Sequence, residues 1–408
     1  MTAGKRAVED VVDAVPAWIR LGIALVIGTI GSVGMWSYVV VLPTIQADFG
    51  ITRAEASLPY TLSMVGFGIG SVVMGRIADR FGMMVAAIVG AVVLALGYVG
   101  SGLAGSFLLL VAAHTLVGLG ASATFAPLIA DMSHWFLRRR GIAVAIAASG
   151  NYLAGVVWPP VVQRAVESVG WRHAHIAIGV FCLISMCLLV MALRQRPPLQ
   201  HGTTTQGAPL TAGNSLGLSP RSLQILLSIA GLACCVAMAM PQVHIVAYCA
   251  DLGYGVARGA EMLSLMLGFG IISRITSGWI ADHIGGLRTL LLSSALQASA
   301  LVLYVFFDGL TSLYIVSALF GLFQGGLIPT YAIIVREYLP PREAGARLGV
   351  IILATVIGMA LGGWMSGVIF DLTASYRAAF LNGIAWNLLN FAIAFWLLSR
   401  ASAKLAPA

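Results

Sequence analysis

Charge is what this sequence has least of. Of its 408 residues only 9% are Asp, Glu, Lys or Arg, against roughly a quarter in a soluble globular chain. Hydrophobic residues make up 59%, and the mean hydropathy is +0.95. A soluble domain is excluded, and lipid is the expected solvent. Lysine is nearly missing, with Lys5 and Lys404 both in the tails. Cysteine is sparse too. Cys182, Cys187, Cys234, Cys235 and Cys249 fall in or at the ends of apolar runs with no CxxC spacing. They read as small hydrophobes, and no bound metal or disulfide framework is expected. There is no Walker motif, no Gly-rich phosphate loop and no zinc spacing. ATP-driven pumping and enzymatic chemistry therefore both lack a site, and no cofactor is expected.

What the chain has instead is long apolar runs. At 1.5 Å per residue, 18 or more residues cross a hydrocarbon core of roughly 30 Å. Twelve spans are predicted, at 21–43, 56–76, 83–104, 107–130, 141–163, 174–193, 222–248, 258–281, 289–306, 311–335, 346–370 and 376–398. The first is too long for a signal-peptide h-region and reads as a retained span. An even number puts both termini on one side. Most of the 23 basic residues fall on that side, whereas Arg53, Arg164, Arg172, Arg258 and Arg377 fall on the other. The positive-inside rule then makes the termini cytoplasmic, in an inner membrane. The net charge of +8 is accounted for by this topology, so a nucleic-acid partner is not expected.

The longest polar interval, rich in Pro, Gly, Ser and Thr, reads as a cytoplasmic linker at 194–221 between six-helix halves at 1–193 and 222–408. Landmarks recur between the halves. "ADFG" ending at Gly50 returns as "ADLG" ending at Gly253, and "GRIADRFG" (75–82) returns as "GWIADHIG" (278–285), both 203 positions on. Pro127 inside the fourth span is matched by Pro329 in the tenth. A duplicated six-helix unit is an architecture of carriers whose halves rock about a midplane site.

The loop motif after the second span, with its weaker copy after the eighth, resembles that of the major facilitator superfamily. Within it, Trp135-Phe136-x-Arg138-Arg139-Arg140-x-Ile142-Ala143, running into Ala147, Gly150 and Gly155, is similar to the fifth-helix entry of monocarboxylate transporters and their oxalate/formate relatives. The three arginines hold the helix start at the surface, and the small residues let neighbours approach closely. The resemblance implies an all-α membrane protein of twelve helices in two six-helix repeats, working as a monomer in the lipid bilayer by alternating access.

Arg274 is the one full charge placed deep in a span, eight residues from Asp282, or roughly 12 Å. An intramembrane arginine normally faces a cavity and an anion, although snorkelling to the interface or tying helices together are the bland alternatives. Monocarboxylate transporters carry an arginine in this helix that pairs with the substrate carboxylate, and a guanidinium suits that geometry. This sequence departs from the mammalian branch in two ways. Gly270 stands where an aspartate precedes that arginine, and no lysine lies near Val41 or Leu42. Coupling through those two groups is absent. Nor is there a second basic group deeper than Arg347 in the eleventh span, as oxalate exchangers would have. One buried cation favours a monoanion over a dianion.

With no acidic residue placed inside a span, proton coupling falls to His114 and His244 or to the substrate. A neutral histidine bonded to a carbonyl is the plainer reading of each. His134, His173, His175, His201 and His283 read as interfacial. Further cavity candidates are Asn151 and Tyr152, Gln242, Gln324 and Tyr331, and Asn382, Asn387 and Asn390, any of which would otherwise join helices. Trp36, Trp158 and Trp364 read as packing or interface anchors. By resemblance, Arg76, Asp79 and Arg80, with Asp282, His283 and Arg288, form a latch at the cytoplasmic mouth. The expected function is secondary transport of a small organic monocarboxylate of the lactate or pyruvate kind, by H⁺ symport or by exchange. The alternatives are another organic or inorganic anion, such as a sugar acid, an aromatic acid or a dicarboxylate, or a non-transporting membrane sensor.

Overall fold

The computed structural model describes residues 14–136, 139–194, 216–340 and 343–403. Among these, only helices and turns occur. In chain order the α-helices are α1 (Val15–Gly31), α2 (Val33–Phe49), α3 (Arg53–Phe81), α4 (Met83–Gly102), α5 (Phe107–Ala121), α6 (Ala126–Ser133), α7 (Arg140–Ala148) and α8 (Gly150–Val190). They continue as α9 (Pro220–Asp251), α10 (Val256–Ile284), α11 (Gly286–Phe306), α12 (Leu310–Gln324), α13 (Leu327–Tyr338), α14 (Ala344–Thr373) and α15 (Tyr376–Ala403). Lipid enforces this, because a backbone in hydrocarbon must satisfy its N–H and C=O groups within its own segment.

Eleven helical stretches among the described residues are long and apolar enough to cross a membrane. One of them, Ile142–Leu193, has 52 residues, about 78 Å of helix and more than twice a bilayer core. It breaks at Gly170, where φ is 78°, and so supplies two crossings and the twelfth span. Several other spans are interrupted. The first bends at Ser32, between α1 and α2. The fourth passes through a 3₁₀ turn at Ser122–Thr124. The fifth breaks at Ser149, and the tenth breaks at Gly325–Gly326. These breaks follow local sequence weakness, since Gly, Ser and Thr cost helix propensity and offer the backbone side-chain alternatives. Ser122 and Thr124 turn their hydroxyls back onto Leu119 O and Ala121 O at 2.7 and 2.8 Å.

The chain divides into two compact units, 1–44 with 62–207 and 45–61 with 208–408. The duplication is visible inside each. Gly82 and Gly285, which close the repeated loop motif, both adopt positive φ, 93° and 83°, a region that costs an L-residue about 1–2 kcal/mol. In the first unit a Cβ on Gly118 would lie 1.8 Å from Ser63 O, and in the second a Cβ on Gly321 would lie 1.9 Å from Met266 O. Both members of each pair are 203 positions apart. Each unit thus contains its own copy of the same kind of helix crossing, made at backbone contact because neither glycine has a side chain.

Candidate functional site

Arg274 lies on α10 at 8% exposure, on a buried stripe with Gly270, Ser273, Ser277 and Ala281. Small residues on that stripe let the break between α12 and α13 seat against it. Gly326 N donates to Ser273 Oγ at 3.1 Å, and a Cβ on Gly325 would lie 2.3 Å from Gly270 O. A charged side chain thus sits on the helix turn against which a second helix is broken. Irregular backbone at membrane depth is tolerated only where protein or a cavity covers it.

Tyr331 and Gln324 face a different neighbour. Tyr331 is fully buried on α13 and donates its hydroxyl proton to Asn390 Oδ1 at 2.8 Å. Asn390 Nδ2 donates to Ser294 Oγ at 3.1 Å, and Asn387 Nδ2 to Ser294 O at 2.8 Å. Gln324 shares the α12 stripe of Ser317 and Phe320, both of which meet Tyr304 of α11. Its two amide atoms are buried with no hydrogen-bond partner among the described residues. These contacts run to α11 and α15, and hold helices together with polar glue. Gln242 is buried on α9.

His244 lies in a second polar cluster of the same unit. Its Nε2 is 2.7 Å from Gly363 O, and its Nδ1 is 3.4 Å from the Tyr376 hydroxyl. That hydroxyl accepts a hydrogen bond from Arg53 Nη1. Arg53, 5% exposed, also donates to Gln46 Oε1 at 2.6 Å, pairs with Asp251 at 3.0 Å and lies 4.7 Å from the Phe370 ring. The Asp371 carboxylate accepts from Arg53 N and Ala54 N at 2.9 and 2.7 Å, and so caps the start of α3. The sequence reading placed Arg53 in a loop. Here it opens α3, with its charge compensated by Asp251, 198 positions away.

In the first unit His114 meets an unexpected partner. Ser101 Oγ is 3.3 Å from His114 Nε2 and 2.9 Å from His175 Nδ1. Ser63 donates to His114 O at 2.9 Å, with its oxygen 3.4 Å from His114 Nδ1. The expectation that His175 is interfacial is overturned: it is fully buried beside Tyr98 and Trp171. The helix after Gly170 begins earlier than the predicted span at 174, which draws His175 inward. Of the other histidines in that group, His173 and His283 are exposed and His134 half-buried, and His201 lies outside the described residues. Asn151 accepts from Trp36 Nε1 through both O and Oδ1, at 3.0 and 3.1 Å.

Arg274 is not the sole buried charge either. Arg20, expected just outside the first span, lies within α1 at 5% exposure and donates twice to Asp131 Oδ2, at 3.2 and 2.9 Å, and once to Leu193 O at 3.2 Å. The expectation that no carboxylate lies inside a span fails at Asp131, which is buried on α6. The predicted spans stop one residue short of both Arg20 and Asp131, and these two charges are buried against each other.

A sequence model described as Major Facilitator Superfamily matches residues 24–312 and, again, 270–407. The chain belongs to the major facilitator superfamily. It is a transporter, not an enzyme. Among curated relatives of this superfamily protein, rat monocarboxylate transporter 13 is 25% identical over 360 residues, covering 88% of this chain and 82% of its own. The bovine form is 27% identical over 361 residues with the same coverage. Zebrafish monocarboxylate transporter 12-B is 26% identical over 398 residues, covering 85% and 80%. A solved bacterial homologue of the human lysosomal transporter Spinster, inward-facing and unoccupied, matches with a TM-score of 0.72 at 15% identity, covering 97% of this chain and 99% of that one. That likeness speaks for the fold.

The superfamily loop residues Arg76, Asp79, Arg80, Asp282 and Arg288 are all exposed, and none is in an ion pair among the described residues. A contact the sequence did not suggest lies at the second loop. The Glu337 carboxylate accepts from Gly286 N at 3.0 and 3.2 Å, tying α13 to the start of α11.

Proposed function

We propose that this transporter carries small organic monocarboxylates of the lactate or pyruvate kind across the inner membrane, by H⁺ symport or by anion exchange, as a monomer with cytoplasmic termini. The observation that carries the reading is Arg274, a buried guanidinium on a spanning helix set against a broken one. A guanidinium there binds a carboxylate through paired N–H donors, and the low dielectric strengthens the contact. The names of the relatives support the substrate class. Arg20 and Arg53 do not compete for the anion, because Asp131 and Asp251 already neutralise them. A monocarboxylate matches the single guanidinium assigned to it, whereas a dianion would bring a second buried negative charge.

His114 and His244 remain the candidates for the coupled proton, each inside a hydrogen-bonded cluster that changes when an imidazole gains or loses a proton. Arg76, Asp79, Arg80, Asp282 and Arg288 are assigned to the latch at the cytoplasmic mouth. Gln242, Asn151, Gln324 and Tyr331 are assigned to shaping the bundle around the path.

The test is uptake of radiolabelled L-lactate into proteoliposomes, at pH 6 outside and pH 7.5 inside, for wild type, Arg274→Gln and Arg274→Lys. Gradient-driven uptake, lost in Arg274→Gln and strongly reduced in Arg274→Lys while both variants unfold at the wild-type temperature, is the expected result. No wild-type uptake, with or without internal carboxylate to exchange, would overturn the substrate class.

A further inference from the structure

In the second unit His244 ends a chain of hydrogen bonds whose direction is fixed at every step by which atoms can donate. Gly363 O can only accept, so its 2.7 Å contact takes the His244 Nε2–H. A neutral imidazole then has a bare Nδ1. The Tyr376 hydroxyl, 3.4 Å from that Nδ1, accepts from Arg53 Nη1 and has its own proton left to give. Arg53 spends Nη2 on Asp251 and Nε on Gln46 Oε1. Asp251 is 36% exposed, whereas His244 is fully buried. The chain therefore runs inward from the half-exposed carboxylate through Arg53 and Tyr376, and it closes only while His244 Nδ1 carries no proton.

Charge decides whether a proton can be held there. Arg53 is faced by two carboxylates, Asp251 in the ion pair and Asp371 on the backbone N–H groups of Arg53 and Ala54. Two negative charges against one positive leave the cluster one net negative charge, which a proton on His244 neutralises. Arg53 of α3 and Asp371 of α14 are the charged groups that act on His244, and Tyr376 of α15 is the titratable one beside it. Tyr248 and Asp251, on its own helix, lie one contact further out, against Tyr376 and Arg53. The bridge of Ser101 to His114 and His175 is different, because no carboxylate bonds to it among the described residues. A proton there would be a buried charge without a counter-charge.

We propose that His244 Nδ1 binds the proton that drives transport, and that Tyr376 and Arg53 convert its arrival into release of segment 45–61. This rests on the H⁺-symport form of the function proposed above. Residues 45–61 belong to the second unit although the rest of that unit is 208–408, so tertiary contacts hold them there. Those contacts gather around the chain. Arg53 holds Asp251 and Tyr376, Asp371 caps the first turn of α3, and Thr61 Oγ1 donates to Ala360 O at 3.2 Å. Gly363, which takes the His244 N–H, lies so close to Tyr60 that a Cβ on it would be 3.0 Å from the ring. Protonation turns the acceptor facing Tyr376 into a second donor, strands the hydroxyl proton and sets an imidazolium against the Arg53 guanidinium. Loss of the proton restores the chain. Tyr376 and Arg53 are positioning residues in this scheme, and neither touches the substrate.

The test is amide hydrogen exchange, read by mass spectrometry on the full-length protein in detergent without substrate, at pH 8 and pH 5, for wild type, His244→Gln and Tyr376→Phe. Glutamine keeps a donor for Gly363 O and an acceptor for Tyr376, and so stands in for a histidine that cannot gain the proton. Comparing variants at one pH cancels the intrinsic pH dependence of exchange, and residues 286–306 of α11 serve as the reference. At pH 8 wild type and His244→Gln should exchange alike over 45–61. At pH 5 wild type should exchange about five- to tenfold faster there, the worth of one lost hydrogen bond, with α11 unchanged. In Tyr376→Phe the response of 45–61 to pH, taken relative to α11, should shrink. Equal exchange of wild type and His244→Gln over 45–61 at pH 5 would overturn the proposal. An undiminished pH response in Tyr376→Phe would overturn it too, and decides alone if His244→Gln fails to fold. Lactate uptake by the same wild type separates this proposal from the substrate reading. No uptake with the pH response intact overturns the substrate and leaves the proton site standing, whereas gradient-driven uptake with no pH response over 45–61 puts the proton elsewhere and overturns the site.

Discussion

Adding one methyl group at Gly118 or Gly321 should loosen the unit that holds it. An alanine Cβ would sit 1.8 Å from Ser63 O at the first position and 1.9 Å from Met266 O at the second, whereas ordinary contact begins at 3.4 Å. The facing helix must retreat by about 1.5 Å, the difference between those distances. A flexible side chain would swing aside, but a backbone carbonyl takes its whole helix with it. Overpacking costs typically 1–3 kcal/mol and sometimes more, and alanine's helix propensity returns about 1 kcal/mol. The net expectation for each substitution is a loss of about 2 kcal/mol, and for a unit of this size about 4–8 °C in the unfolding midpoint.

The same substitution has a built-in control. Gly75 and Gly278, another pair 203 positions apart, have nothing within 4 Å of a Cβ, so alanine there should be neutral or stabilising by up to about 1 kcal/mol. The assay is thermal unfolding of the purified protein in one detergent at one scan rate, for four single variants. The reasoning is refuted if Gly118→Ala and Gly75→Ala shift the midpoint in the same direction by the same amount. Because the two crossings lie in different units, Gly118→Ala and Gly321→Ala should not compensate one another.

Asp131→Asn should destabilise by about 3–5 kcal/mol, because it strands the buried Arg20 charge. Arg20→Met in the same chain should recover most of that loss, as read by thermal unfolding. Ala374 holds φ at 50°, so Ala374→Gly should raise stability by about 1 kcal/mol, seen as a higher unfolding midpoint. Tyr331→Phe leaves Asn390 Oδ1 without its donor and should cost about 1–3 kcal/mol. If Tyr331 joins helices, KM for lactate stays unchanged in that variant. A raised KM would place its hydroxyl on the substrate.

The sequence made the membrane class and the duplication legible for a simple reason. A bilayer demands long apolar segments, and a repeated loop needs the same glycine in the same backbone region, as Gly82 and Gly285 confirm with their positive φ. Arg274 was legible because a lone charge inside an apolar run is conspicuous. Arg20 and Arg53 were not, because they stand at span ends where a cation looks interfacial. Their neutralising partners, Asp131 and Asp251, are 111 and 198 positions away. Hydropathy carries no record of such pairing. The Ser101 bridge between His114 and His175 escaped for the same reason, since each residue alone reads as an ordinary polar group on its own helix.

Glycine codons carry a further consequence for the paired crossings. Every amino acid reachable from glycine by a single nucleotide change brings at least a Cβ, so Gly118 and Gly321 have no conservative mutational neighbour. Two such positions in one gene double the target for destabilising missense changes. Duplication gives no redundancy here, because each unit has its own backbone contact to keep. The duplication therefore bequeathed this gene two copies of the same genetic fragility.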